Sequence, residues 1–343
     1  VGSYTRLGGA GIWRMLRGPN GEFSLEVVAE LADPSFLVLH PNGRWLYAVS
    51  EVSSGALVAF HRDPASGRLV FAGSFSTEGA SPCHLALDPS GRWLAAANYN
   101  GANVVVCAVD SEGRLGGVTA RVAHSGSSVH PIRQSRPHPH GVYWLDNGRE
   151  LWVPDLGTDQ LHIHRFLPEQ GSFLGDPCVV HMPAGCGPRH LAVHPSGNIV
   201  YVLCELDSSL VTLQRSSDRR SWTVCSVVSA VPAGSVPSAA AEIAIDPEGR
   251  RLFCSNRGHD SIAIMDLEKS ALHPGVTACL PSGGAGPRHF DCDYIGKRLI
   301  VGNQLSGTLT ELSLGDDYMR HETSVVGELA SPACVVLVRN PRV

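Results

Sequence analysis

Arg189, Arg257 and Arg288, the imidazoles of His138, His140 and His190, and the carboxylates of Glu205 and Glu242 combine the two things needed to process an anion. A guanidinium fork grips carboxylate or phosphate. An imidazole exchanges protons near neutral pH, and a carboxylate does so once its pKa is raised. Along the chain these residues are far apart, but most of them occupy equivalent places in one short recurring phrase. It reads HPHGVYWLD from His138, GPRHLAVHP from Gly187, AAEIAIDP from Ala240 and GPRHFDCDY from Gly286. Three further copies are DPSFLVLHP from Asp33, SPCHLALDP from Ser81 and SPACVVLV from Ser331.

The phrase is the first strand of a repeated unit. Six copies lead into a second signal centred on Gly43, Gly91, Gly148, Gly197, Gly249 and Gly296, spaced 47 to 57 residues apart. That is close to the period of roughly 50 residues expected of propeller blades. In GPRHLAVHPSGNIVYVLCELDSSLVTLQR the pattern predicts strands at His190 to His194, Ile199 to Cys204 and Ser209 to Gln214, with a more polar fourth strand from Thr223. Four antiparallel strands per unit make a blade. The amino-terminal segment lacks an opening phrase, and the carboxy-terminal SPACVVLV is an opening phrase with nothing after it. Together they complete a seventh blade and leave no open sheet edge. The expectation is an all-β, seven-bladed β-propeller, residues 1–343 forming a single domain closed by its two ends.

In such a ring the first strands line the central channel, so equivalent positions converge. One column reads Ser35, Cys83, His140, Arg189, Ala241, Arg288 and Ala333; the next reads Phe36, His84, Gly141, His190, Glu242, His289 and Cys334. A third, at the end of the second strand, contains Glu51, Tyr99, Glu205 and Arg257, preceded by Asn98 and its equivalents. Buried charge is costly unless paired or liganded, and the cations here exceed what Glu205 and Glu242 neutralise. The expected ligand is therefore a small anion, with His138, His190, Arg288, Glu242 and Asn98 as binding groups. The insertion HSGSSVHPIRQSRPHPH (residues 124–140) reads as a long loop that delivers His138 and His140 to the channel mouth. Within it, His124 and His130 read as solvent-exposed connector. A metal held by His84, His138, His140, His190 and His289 is disfavoured, because the neighbouring arginines repel a cation, and neither metal nor cofactor is expected.

Bulk properties exclude other classes. The net charge of −5 comes with no basic block, which argues against nucleic acid or anionic lipid as partner. No apolar run approaches the roughly 18 residues of a membrane span. Ten cysteines without a CxxC pair, several inside apolar strand patterns, suggest buried thiols, a reducing compartment and a cytoplasmic location.

The chain also resembles a known family. GxGPRH (Gly185 to His190), Glu205 to Ser208, NYNGANV (Asn98 to Val104), WVPDLGTD (Trp152 to Asp159) and AAEIAIDPEGRRL (Ala240 to Leu252) look like the seven-bladed lactonases. That family includes propeller-type 6-phosphogluconolactonases and 3-carboxy-cis,cis-muconate cyclases. The resemblance implies His140, Arg189, Arg257 and Glu205 as the catalytic group and no obligatory metal. It leaves two chemistries open: hydrolysis of an anionic sugar lactone, or lactonisation of a carboxylated muconate. Use of the propeller as a non-enzymatic interaction platform is the third reading. Glu51 departs from the arginine common at its position in similar enterobacterial phosphogluconolactonases.

Overall fold

A computed structural model describes residues 1–315, 318 and 321–338. Seven antiparallel sheets make up the ring. Blade 1 contains Leu37–Leu39, Trp45–Ser50, Ala56–Arg62 and Leu69–Ser76; blade 2 contains Pro82–Leu87, Trp93–Asn98, Asn103–Val109 and Leu115–Ala123. Blade 3 contains Tyr143–Leu145, Glu150–Asp155, Gln160–Leu167 and Cys178–His181, with the short Ser172–Phe173 added at its edge. Blade 4 runs through Pro188–Val193, Ile199–Cys204, Ser209–Arg215 and Trp222–Ser229. Blade 5 has Ala239–Ile245, Arg251–Arg257, Ser261–Asp266 and Gly275–Pro281, and blade 6 has Pro287–Asp293, Arg298–Asn303, Thr308–Leu314 and His321–Glu328.

Blade 7 is shared between the ends. Its innermost strand, Pro332–Cys334, pairs with Gly2–Ser3, which continues to Ile12–Arg17 and Phe23–Ala29. The closure expected from the unmatched opening phrase is therefore present.

The strands are apolar on both faces because each face fills a different blade interface. Tyr47 and Val49 of blade 1 pack against Leu85, Leu94 and Val105 of blade 2, whereas Leu46 and Ala48, one residue out of phase, pack with Ile12 and Cys334 of blade 7. Side-chain alternation along a strand produces this split. Seven apolar clusters result, one per interface, so the core is a circle around the channel. The first hairpins turn where glycine supplies a left-handed residue, as at Gly197 (φ 68) and Gly249 (φ 70). In blade 6 that conformation falls on Lys297 (φ 49), one residue after Gly296.

Candidate active site at the channel mouth

Glu205 organises the site. It follows the second strand of blade 4, is 4% exposed, and is anchored by its backbone N–H to the Gly187 carbonyl (2.7 Å). Its carboxylate faces three guanidiniums: Arg189 Nε donates to Oε2 at 3.1 Å, an Arg257 terminal nitrogen lies 3.0 Å from Oε2, and Arg133 donates to Oε1 at 2.6 Å. Burial opposes ionisation of Glu205, but Arg257, His140, Arg189 and Arg133 outweigh it and hold the carboxyl well below the usual range. Arg189 and Arg257 are further fixed by carbonyls of blade 5. Arg189 donates to Ala241, and Arg257 to Ala239 and Ala240 at 3.1 Å each. Burial lowers Arg257 to about 10.

His140 sits beside this cluster, with Nε2 3.8 Å from Glu205 Oε2, beyond direct hydrogen-bond distance. Nδ1 is 3.9 Å from the Cys83 thiol, and Tyr99 meets the ring edge-on at 5.4 Å. Burial, reinforced by Arg189, depresses the imidazole well below its ordinary value, so at neutral pH the ring is uncharged and able to take a proton.

Arg288 lies across the mouth and is partly exposed. Its guanidinium stacks over the Tyr4 ring at 5.2 Å, and among the described residues no carboxylate comes within ion-pair distance of it. Glu51, whose acidity departs from the family pattern, accepts from Tyr4 (2.8 Å) and pairs with Arg6 (3.3 Å). A local cation therefore already answers its charge.

Beneath this layer His190 and His289 flank Glu242 at 3.0 and 3.3 Å, with His84 and Phe36 completing a packed plug. Burial raises the Glu242 carboxyl, and burial with Arg189 keeps His190 well below its ordinary value.

Of the residues expected from the sequence, His140, Arg189, Arg257, Glu205 and Arg288 converge at the mouth, and His190 and Glu242 form the floor. His138 reaches the rim, where its ring stacks on Tyr99 at 4.2 Å and its Nδ1 is 2.9 Å from the Tyr99 carbonyl. Asn98 requires a correction. It is fully buried, and its amide donates to the Thr77 carbonyl (2.9 Å), as Asn256 does to Ala230 (3.0 Å) in blade 5. Its amide is spent tying the end of its strand to the segment that leaves the preceding blade.

The insertion also differs from expectation. His130 is exposed, but His124 is buried and bonded to Asp155 (2.7 Å). Gln134 is sealed against Leu156 and Asp159, and Asp159 also accepts from Ser128, Gly185 and Gly187. This fastened loop places Arg133 over Glu205 and within 3.3 Å of the Tyr99 hydroxyl. Arg133 has no counterpart in the repeat, so aligning repeats does not reveal it; the signal was the basic residue within the Pro-rich insertion.

The fold and site together define a propeller whose channel mouth presents fixed cations around an uncharged imidazole. The Lactonase, 7-bladed beta-propeller family model matches residues 1–337, and the chain belongs to that family. It is 29% identical over 317 residues to a 6-phosphogluconolactonase of Bacillus subtilis, covering 90% of this chain and 88% of that one. A 6-phosphogluconolactonase of Formosa agariphila is 30% identical over 319 residues, covering 90% of each. Among solved structures, the periplasmic gluconolactonase PpgL of Pseudomonas aeruginosa superimposes with a TM-score of 0.87 at 27% identity, covering 97% of this chain and 96% of that one.

Proposed function

We propose that the protein hydrolyses an anionic sugar lactone, with 6-phosphogluconolactone as the substrate and 6-phosphogluconate as the product. The observation that carries this reading is Arg288, a guanidinium with no carboxylate within ion-pair distance among the described residues, set beside a neutral His140 and the braced pair Arg189 and Arg257. An unpaired, partly desolvated cation attracts the phosphate of the substrate. The named relatives support the same chemistry.

In the proposed reaction, water adds to the lactone carbonyl carbon as His140 takes its proton. The charge that develops on the carbonyl oxygen is met by Arg189 and Arg257, which need no reorganisation because Glu205 and backbone carbonyls already hold them. Collapse breaks the bond between the carbonyl carbon and the ring oxygen, and His140 returns the proton to that oxygen. Both carboxylate oxygens of Glu205 are occupied by guanidiniums, and its role is to position the arginines. The site is a cytoplasmic one in this reading, supported by ten free cysteines, several sealed inside strands. No helix among the described residues is long and apolar enough to cross a membrane.

The deciding experiment is turnover of freshly prepared 6-phosphogluconolactone measured against its spontaneous hydrolysis. A wild-type rate equal to the spontaneous rate rejects the proposal. Two variants refine it. Arg288→Met raises KM for the phosphorylated lactone by about 10- to 100-fold, in line with losing one charge-assisted contact, and leaves the KM for an unphosphorylated gluconolactone within about threefold. Equal effects on both substrates remove Arg288 from phosphate binding. Arg133→Ala raises KM several-fold with little change in melting temperature, because Glu205 keeps two other cations and the Arg133 side chain is 39% exposed. A large loss of stability instead makes Arg133 a structural strut.

A further inference from the structure

A second group of histidines lies away from the channel, in the interface between blades 2 and 3. His162 and His164 project from the third strand of blade 3 on the same face as Phe166, and His124 opens the insertion directly after the last strand of blade 2. All three are buried, at 6%, 2% and 8% exposure, and one nitrogen from each lies within 4.8 Å of the others. His124 Nε2 is 3.2 Å from His164 Nε2.

Two observations separate this group from ordinary packing. Neither ring nitrogen of His162 has a hydrogen-bond partner among the described residues, although the side chain is more than nine-tenths buried. A buried polar group left this way is uncommon and points to a missing partner. Behind His124, the fully buried Asp155 meets Nδ1 at 2.7 Å. This carboxylate fixes the tautomer so that Nε2 offers its lone pair toward His164, which is how a metal-binding imidazole is held from behind.

We propose that His124, His162 and His164 form a binding site for a single divalent transition-metal ion of zinc type, with Asp155 as the orienting residue. Zinc bonds imidazole nitrogen at about 2.0–2.1 Å in tetrahedral geometry, which sets ligand nitrogens roughly 3.3 Å apart. The His124–His164 pair already has that separation. His162 stacks on His124 with ring centres 3.9 Å apart and a 26° tilt, so loading requires its ring to rotate until one nitrogen points at the ion. The site is separate from the axial histidines, where arginines oppose a cation. It ties blade 3 to the first residue of the insertion, while Asp155 Oδ1 accepts from the backbone N–H of His138 near the other end at 2.8 Å. A bound ion would therefore brace both ends of the loop that carries Arg133.

The test uses the full chain, stripped by dialysis against a chelator and titrated with zinc and with cobalt(II). Wild type is expected to take up one equivalent, with cobalt ligand-field bands, no thiolate-to-cobalt charge-transfer band, and a melting temperature that rises with zinc concentration. His162→Phe replaces a ring that has no hydrogen bonds to lose, so without metal it melts at or above wild type. With zinc its affinity falls at least 100-fold and the thermal gain disappears. Failure of wild type to bind either ion at millimolar concentration overturns the proposal. So does undiminished binding by His162→Phe, or a thiolate band, either of which places the ion elsewhere.

Discussion

His140→Ala lowers kcat for 6-phosphogluconolactone by about 10²–10⁴-fold, the range for removing a positioned general base, and leaves KM within a few-fold. The split follows from the geometry. The anion is held by guanidiniums, whereas His140 acts only when water loses its proton. The pH dependence carries a further signature. Burial and Arg189 depress the His140 imidazole well below its ordinary 6.5. The base stays unprotonated on going from pH 8 through 6.5, so kcat/KM is flat there and its acid limb lies well below 6.5. A limb centred near 6.5 would show a solvent-exposed imidazole at work and exclude His140 in this environment. A kcat unchanged in His140→Ala, with the melting temperature confirming a folded variant, removes the residue from the chemistry.

The choice between His140 and Glu205 as base illustrates what the sequence held and what it did not. Both residues were visible as axial positions of the repeat, because a polar residue at a place where Ala241 or Leu156 suffices elsewhere has no packing reason to be there. Their protonation depends on neighbours in three dimensions. Arg133 comes from an insertion outside the repeat, Arg189 is braced by a backbone carbonyl of the next blade, and Arg257 by carbonyls of the neighbouring strand in its own blade. None of these is encoded by spacing. Asn98 shows the opposite error. Its polarity is as conspicuous as that of Glu205, but it serves the Thr77 carbonyl in the segment that leaves the preceding blade, a role that column alignment cannot separate from one facing the channel. His124 was misread for a similar reason. Pro-rich loops are usually solvated, and its burial rests on Asp155, which sits 31 residues away. Blade number, closure and the convergence of arginines were legible because a repeat converts sequence register directly into position around an axis.

Glu205→Gln should cost about 3–5 kcal/mol of stability, the amount typical of removing one partner of a buried ion pair. The amide is nearly isosteric, so packing is preserved and the loss is electrostatic: Arg189 and Arg257 lose their shared counter-charge inside the ring. The dependence on pH identifies the cause. The folded-state pKa of Glu205 is depressed, so its contribution is fully present above the unfolded value near 4.5 and is lost as pH falls through the folded value. The gap in stability between wild type and Glu205→Gln is therefore widest near neutrality and constant down to about pH 5. Below that it narrows, as the wild-type carboxylate takes up its proton. His84, His140 and His190 are all depressed below 6.5, and their neutral burial makes both proteins less stable as pH falls below that value. For His84 and His190 that slope is common to the two and cancels in the difference, whereas His140, whose protonated form the Glu205 carboxylate favours, is harder to protonate in Glu205→Gln. Urea unfolding of both proteins across this range measures the gap. Equal stability at pH 7 would mean that the three arginines are satisfied without Glu205, and the preorganised cation cluster on which the proposed hydrolysis depends would lose its keystone.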